Sequence, residues 1–379
     1  MKNPRKIQNR NYMTAAAILL VTVILIITGS IFKFGIQKPG SDSGLAAQSV
    51  PETLSAEEIK NQTVAQAERL AAGYDYDGAC AKIKEIENYS ADAELTKKIT
   101  EYEALKAKTV RWEDMTKVTH IFFHSLIYDT DKAFKSDSAS GYNMVMTTVD
   151  EFNKILQSMY DKGFVLVSIH DLVKEVPGAN GEVTYEAGDI MLPPGKIPFV
   201  LSQDDVCYYE YMEDTGFATK LVVGEDGKVT CEYKNDDGTL SYGAYDMVPI
   251  VDAFIEQHPD FSYRGAKGIL ALTGYNGVLG YRTDPEVYKD SPTLQADIDE
   301  AKKVAEALKA DGWEFASHSW GHIHMMQTSW EKFKTDTDKW EQYVEPIIGE
   351  TDVIIYPFGE DVGDWQPYTA DNQKYSYLR

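Results

Sequence analysis

The chain has 379 residues, with 60 acidic against 37 basic side chains and a formal net charge of −23. That balance excludes nucleic acid as a partner, because gripping phosphates needs a basic face. A hydrophobic share of 43% excludes a largely disordered chain and leaves room for two or three folded domains.

Lys2, Arg5, Lys6 and Arg10 precede an uncharged apolar run over residues 13–32. The run is long enough to span a bilayer and long for the apolar core of a cleaved signal peptide. Basic residues ahead of it predict a cytoplasmic N-terminus at 1–12, a single-pass cell-membrane anchor at 13–32 and an extracytoplasmic body. A cleaved signal ending near Leu45-Ala46-Ala47 is the alternative. Residues 33–54, rich in Gly, Ser, Pro and Ala, predict a linker. Ser55 and Glu58 then form a capping box, the signature of a helix start. Apolar positions predict three helices over 55–110, with turns at 73–78 and 90–92. They resemble one tetratricopeptide-like pair plus a further helix. One such unit makes no solenoid, so the expectation is a small all-α stalk or packing cap, its protein partner left open.

From residue 116 onward the pattern alternates. Residues 118–124, 164–168, 198–202, 266–273, 312–317 and 353–356 are short apolar runs that predict buried strands. Amphipathic helical stretches at 148–161 and 291–310 fall between them, the first opened by Thr148 with Glu151 as a capping box. Such alternation predicts a parallel sheet, open or closed into a barrel. Turn signals at 224–227 and 235–238 predict a β-hairpin insertion over about 219–245, either shaping access to the site or merely tolerated there. Cys80, Cys207 and Cys231 show no CxxC spacing, so a thiolate zinc site is not expected. A Cys207–Cys231 bridge and two inert thiols both stay open.

In either form of sheet, reactive groups collect at the carboxyl ends of strands. Asp204-Asp205, His318…His322 and Tyr356-Pro357-Phe358 all fall at such ends. If residues 318–322 begin a helix, the two imidazoles share one face and can reach one point. Taken singly, either pair has a plainer reading: the histidines as surface or core residues, the aspartates as a turn or helix cap. Together, one carboxylate and two imidazoles on separate strand ends make an open metal site with room for a water. A second carboxylate beside them can take that water's proton.

These segments resemble the polysaccharide deacetylase family with the NodB-type domain, carbohydrate esterase family four. Phe123-His124-Ser125-Leu126-Ile127 resembles its opening tyrosine-histidine segment, and Leu201-Ser202-Gln203-Asp204-Asp205 its T-F-D-D-G. Ser317-His318-Ser319-Trp320-Gly321-His322 resembles its H-T/S-x-x-H, and Tyr356-Pro357-Phe358-Gly359 its Y-P-Y/F-G. The resemblance covers residues 116–379 and implies an α/β fold: a distorted (β/α) barrel of the NodB type, preceded by the transmembrane helix and the stalk. It implies Asp204 as general base, and Asp205, His318 and His322 as ligands of a divalent metal, zinc foremost, with cobalt, nickel or manganese as alternatives. The Phe358 N–H would hold the oxyanion, while Tyr356, Pro357 and His124 would line the substrate. The implied reaction uses metal-activated water to remove N-acetyl groups from amino sugars of a cell-envelope polysaccharide: peptidoglycan, a chitin-like polymer or poly-N-acetylglucosamine.

The pattern departs from the family at several positions. Val206 stands where the family has glycine, and Gln203 where it has an aromatic. The arginine of the third motif falls at Ile355. The leucine-histidine that supplies the family's general acid has no counterpart before Arg379, so the barrel is expected to be incomplete at its C-terminal side; for His124 a site-lining or structural role comes ahead of that of stand-in acid. A catalytically inactive carbohydrate-binding or wall-organising protein on the same fold is the alternative. A glycosidase fits poorly, because its two carboxylates must flank a bond rather than sit adjacent.

Overall fold

The computed structural model describes residues 54–178, 183–364 and 366–379. The predicted anchor at 13–32, most of the linker and Trp365 lie outside them. Among the described residues no helix is long and apolar enough to cross a membrane.

Three helices come first: α1 (Ala56–Ala72), α2 (Tyr76–Lys84) and α3 (Ala93–Lys106). The Ser55–Glu58 capping box is present with both of its hydrogen bonds. Strand β1 (Thr119–Phe123) and helix α4 (Val149–Asp161) follow, then β2 (Phe164–Leu166) and β3 (Ile197–Gln203). Thr148 and Glu151 close the capping box of α4, which buries Phe152, Leu156 and Met159. An antiparallel meander of β4 (Lys220–Val223), β5 (Val229–Lys234) and β6 (Leu240–Gly243) leads to α5 (Met247–Gln257). After it come β7 (Ile269–Leu272), α6 (Leu294–Ala310), β8 (Glu314–Ser317) and α7 (Trp330–Tyr343).

The central sheet is parallel, with β1, β3, β7 and β8 side by side and β2 also paired to β3. It is an open sheet among the described residues, with β1 at one edge. The strand predicted at 353–356 is reduced to one bridge, Ile354 beside Ser317. Strand alternation sends Leu166, Phe199, Leu201, Leu270, Leu272 and Phe315 to a core shared with α4, α5 and α6. Val165, Val167, Val200, Ile269, Ala271 and Ala316 belong to a second core.

That second core corrects the stalk. Ala67, Ala71, Ala79, Ile83, Leu95 and Tyr102 from α1–α3 are part of it. Tyr74 Oη donates to the Asp260 carbonyl (2.7 Å), and the Arg264 N–H to that of Gly73 (2.7 Å). Both contacts fall on the loop leading into β7, at the end of the sheet away from His318. The helices are therefore a packing cap on the body, within one unit spanning Leu54–Arg379. The reason is composition: their apolar stripe is too small to form a core alone and is buried against the sheet.

The insertion also differs from expectation. Its turns fall where Gly227 and Gly238 predict, but it has three strands rather than one hairpin. Leu221, Val229 and Cys231 carry its inner side into the main core. Cys207 and Cys231 are both free and buried, so the bridge does not form.

The two motif departures have structural partners. Gln203 Nε2 donates to Asp246 Oδ2 (2.8 Å), while Val206 is fully buried and its N–H bonds the Ala271 carbonyl (3.2 Å). Asp246 caps α5 and also accepts from the Leu126 N–H (2.9 Å), the Met247 N–H (2.8 Å) and Tyr208 Oη (2.6 Å). Burial raises its pKa above the ordinary carboxylate value, and these donors oppose that shift. Replacing Asp246 with alanine strands four donors at once, so Asp246→Ala should lose at least about 3 kcal/mol of stability in urea unfolding. A loss under about 1 kcal/mol would show that the network carries no such weight.

Candidate metal centre

The carboxyl ends of β1, β3, β7 and β8 lie together because the strands are parallel and in register. They deliver His124, Asp204-Asp205, Thr273 and His318 to one rim of the sheet. The segment after Ile354 adds Tyr356-Pro357-Phe358 beside β8.

His318 and His322 do not lie on a helix, contrary to the expectation from their spacing. Ser319 (φ 56°) and His322 (φ 49°) are in the left-handed region, and the segment is a tight irregular turn. The rings still converge, with centroids 5.0 Å apart. Asp336, on α7, holds this turn by accepting from the N–H groups of Trp320 and Gly321, each at 2.8 Å. His318 is 2% exposed, and its Nδ1 lies 2.7 Å from the Ile355 carbonyl. A carbonyl only accepts, so Nδ1 carries the proton and Nε2 presents a lone pair. Burial outweighs the Asp205 charge and holds the His322 pKa below the ordinary imidazole value, which keeps that ring in the ligating form.

Asp205 breaks the strand rule. Adjacent residues of a strand face opposite sides, yet Asp204 and Asp205 both serve the rim because Asp205 turns left-handed (φ 59°). Its Oδ1 accepts from Tyr209 Oη (2.6 Å), and the Tyr209 Oη in turn lies 2.7 Å from Thr273 Oγ1. The phenol has one proton, so Thr273 is the donor to it. Burial and the Asp205 charge push the Tyr209 pKa well up, keeping the phenol a donor. Oδ2 of Asp205 stays open, 3.7 Å from His322 Nε2. One potential ligand atom from each of Asp205, His318 and His322 lies within 4.8 Å of the others. This set fits a divalent ion: two neutral imidazoles and one carboxylate, with the non-ligating atoms of His318 and Asp205 tied by hydrogen bonds.

Asp204 sits beside this set, 6% exposed, its N–H bonded to the Phe123 carbonyl (2.7 Å). Ser202 Oγ donates to its Oδ1 (3.0 Å). Burial pushes its pKa above the ordinary carboxylate range, opposed first by the neighbouring His318 imidazole. His124 is near enough for its charge to act on both Asp204 and His322. Phe358 is also left-handed (φ 59°). The bonds of its turn run from the N–H groups of Gly359 and Glu360 to the carbonyls of Tyr356 and Pro357, leaving the Phe358 N–H out of them. Its ring is 57% exposed, stacked on His324 (3.9 Å) and edge-on to His322 (4.4 Å). Tyr356 packs with Ile323, Met325, Phe333 and Val362, and Pro357 is buried, so both support the turn.

Tyr209, Thr273 and Asp336 escaped the reading of the sequence. Tyr209 lies four residues past Asp205, with no motif to mark its hydroxyl. Thr273 and Asp336 reach the site only through the fold.

The polysaccharide deacetylase family model matches residues 293–375, a stretch that contains His318, His322 and Phe358. A solved structure described as Streptococcus pyogenes deacetylase PplD in complex with acetate is 14% identical, with a TM-score of 0.34, covering 71% of this chain and 81% of that one. That likeness is too slight to carry any statement about this chain. No curated protein matches the chain.

The Tyr209 contact yields a direct expectation. Tyr209→Phe should weaken zinc binding by about 10–100-fold, measured by competition with a chelating dye, because Asp205 loses the bond that orients it. Unchanged affinity would remove Tyr209 from the metal centre.

Proposed function

We propose that this chain is a metal-dependent polysaccharide deacetylase, removing N-acetyl groups from amino sugars of a cell-envelope polysaccharide; the match of residues 293–375 to that family's model supports the reading. The carrying observation is the convergence of Asp205, His318 and His322 within 4.8 Å, with Asp204 beside them. An ion held there supplies a Lewis acid for the acetyl carbonyl and lowers the pKa of the attacking water. Zinc suits two imidazoles and a carboxylate, though the same donors also accept cobalt, nickel or manganese.

The chain's own groups divide the remaining work. Asp204 takes the proton of the attacking water at Oδ2, since Ser202 occupies Oδ1. Its raised pKa favours that role. The Phe358 N–H holds the oxygen on which negative charge develops. His124, close enough to act on both Asp204 and His322, gives a proton to the leaving amine. The C–N bond breaks, and acetate and a free amine leave. The intact ligand set favours this over an inactive carbohydrate-binding protein.

The envelope as the place of action rests on the basic cluster and apolar run of residues 1–32. A single-pass anchor there leaves the enzyme facing the wall glycan. Peptidoglycan, chitin-like and poly-N-acetylglucosamine substrates all carry the N-acetyl group that the reaction needs.

Zinc-loaded protein incubated with N-acetylglucosamine oligomers should release acetate, read by a coupled assay. His318→Ala should lose both bound zinc and acetate release; full activity in that variant would refute the site. His124→Ala should keep its zinc and lose about 10²–10⁴-fold in kcat. An unchanged kcat would assign the proton donor elsewhere.

A further inference from the structure

His120 and Ser202 form a hydrogen-bonded chain that ends on Asp204. His120 Nε2 lies 2.9 Å from Ser202 Oγ, and Ser202 Oγ donates to Asp204 Oδ1 at 3.0 Å. The two residues come from neighbouring strands: His120 pairs with Val200, and Phe122 with Ser202. Ser202 is fully buried, while His120 stands on the exposed face of the edge strand β1. No cation among the described residues forms an ion pair with Asp204, so its orientation depends on this contact and on the backbone.

Proton counting fixes the direction of the chain. A serine hydroxyl has one proton. Given to Asp204, it leaves the oxygen only lone pairs to offer His120. His120 must therefore donate from Nε2. That second bond matters because a hydroxyl with a single partner is a free rotor, and its proton can turn away from the carboxylate. With His120 donating into it, the proton points at Asp204, and successive bonds polarise one another.

We propose that His120 and Ser202 are positioning residues for the deacetylation reaction: together they lock the Asp204 carboxylate so that Oδ2 faces the attacking water. This rests on Asp204 being the base, as proposed above. Neither residue touches substrate or metal, so their loss acts through Asp204.

The test joins a structural signature to kinetics. Long-range ¹H–¹⁵N spectra of the zinc-loaded protein should show His120 protonated at Nε2, and Ser202→Ala should shift those resonances. His120→Ala and Ser202→Ala should each lower kcat by about 10–100-fold with zinc affinity kept, and with KM changed by less than about twofold. The double variant should be no slower than Ser202→Ala alone. His120→Gln, whose amide can donate to Ser202, should restore most of the activity. An Nδ1-protonated His120, additive losses, or a glutamine variant as slow as the alanine would each overturn the proposal. Wild-type protein that binds zinc, shows the Nε2 signature and releases no acetate would instead overturn the deacetylase reading, and the catalytic role of the pair with it.

Discussion

Two adjacent carboxylates must both reach one rim of a parallel sheet, and a regular strand cannot present them so. The chain resolves this at Asp205, whose left-handed backbone (φ 59°) ends β3 and brings its side chain to the same side as Asp204. Ser319, His322 and Phe358 have the same uncommon conformation around the site. Residues with a Cβ held there cost of order 1–3 kcal/mol each. Such strain persists only where surrounding structure over-determines it. Here Tyr209 holds Asp205, and Asp336 holds the histidine turn.

The body of the fold supplies the rigidity that this requires. Strands β3, β7 and β8 are packed on both faces along most of their length, by α4–α6 on one side and within the cap's core on the other, while β1 at the edge stays largely exposed. Helices α1–α3 dock on the loop before β7, far along the strands from the metal centre. Their burial stabilises the sheet and leaves the carboxyl ends free for chemistry. Asp246 does comparable work nearer the rim, tying Gln203, Tyr208 and the start of α5 into one buried network.

Much of this was readable from residue order. Apolar runs interrupted by amphipathic helices announced a parallel sheet, and the capping boxes at Ser55 and Thr148 marked helix starts that the structure keeps. Asp205, His318 and His322 could be grouped because they end strands, and the fold brings their potential ligand atoms within 4.8 Å. Other features were not readable, for physical reasons. The i, i+4 spacing of His318 and His322 suggested a helix, but a turn with two left-handed residues brings the rings together just as well, and periodicity cannot tell these apart. The helices at 56–106 stayed open between a stalk and a packing cap because amphipathicity reveals an apolar stripe without its partner. His120 carries no mark in the sequence, since a lone histidine on a strand acquires meaning only through the cross-strand neighbour that register supplies. Gln203 and Val206 looked like losses from a motif, and they are committed to packing and to Asp246 instead.

The central claim is that Asp205, His318 and His322 together hold one divalent ion. Anomalous diffraction at the zinc edge from crystals of the zinc-loaded protein tests it most directly. The account predicts one strong peak at full occupancy, about 2.0–2.2 Å from His318 Nε2, a His322 ring nitrogen and an Asp205 carboxylate oxygen, with at least one further position open to solvent. A peak held by other side chains, or none at these three under saturating zinc, would contradict it.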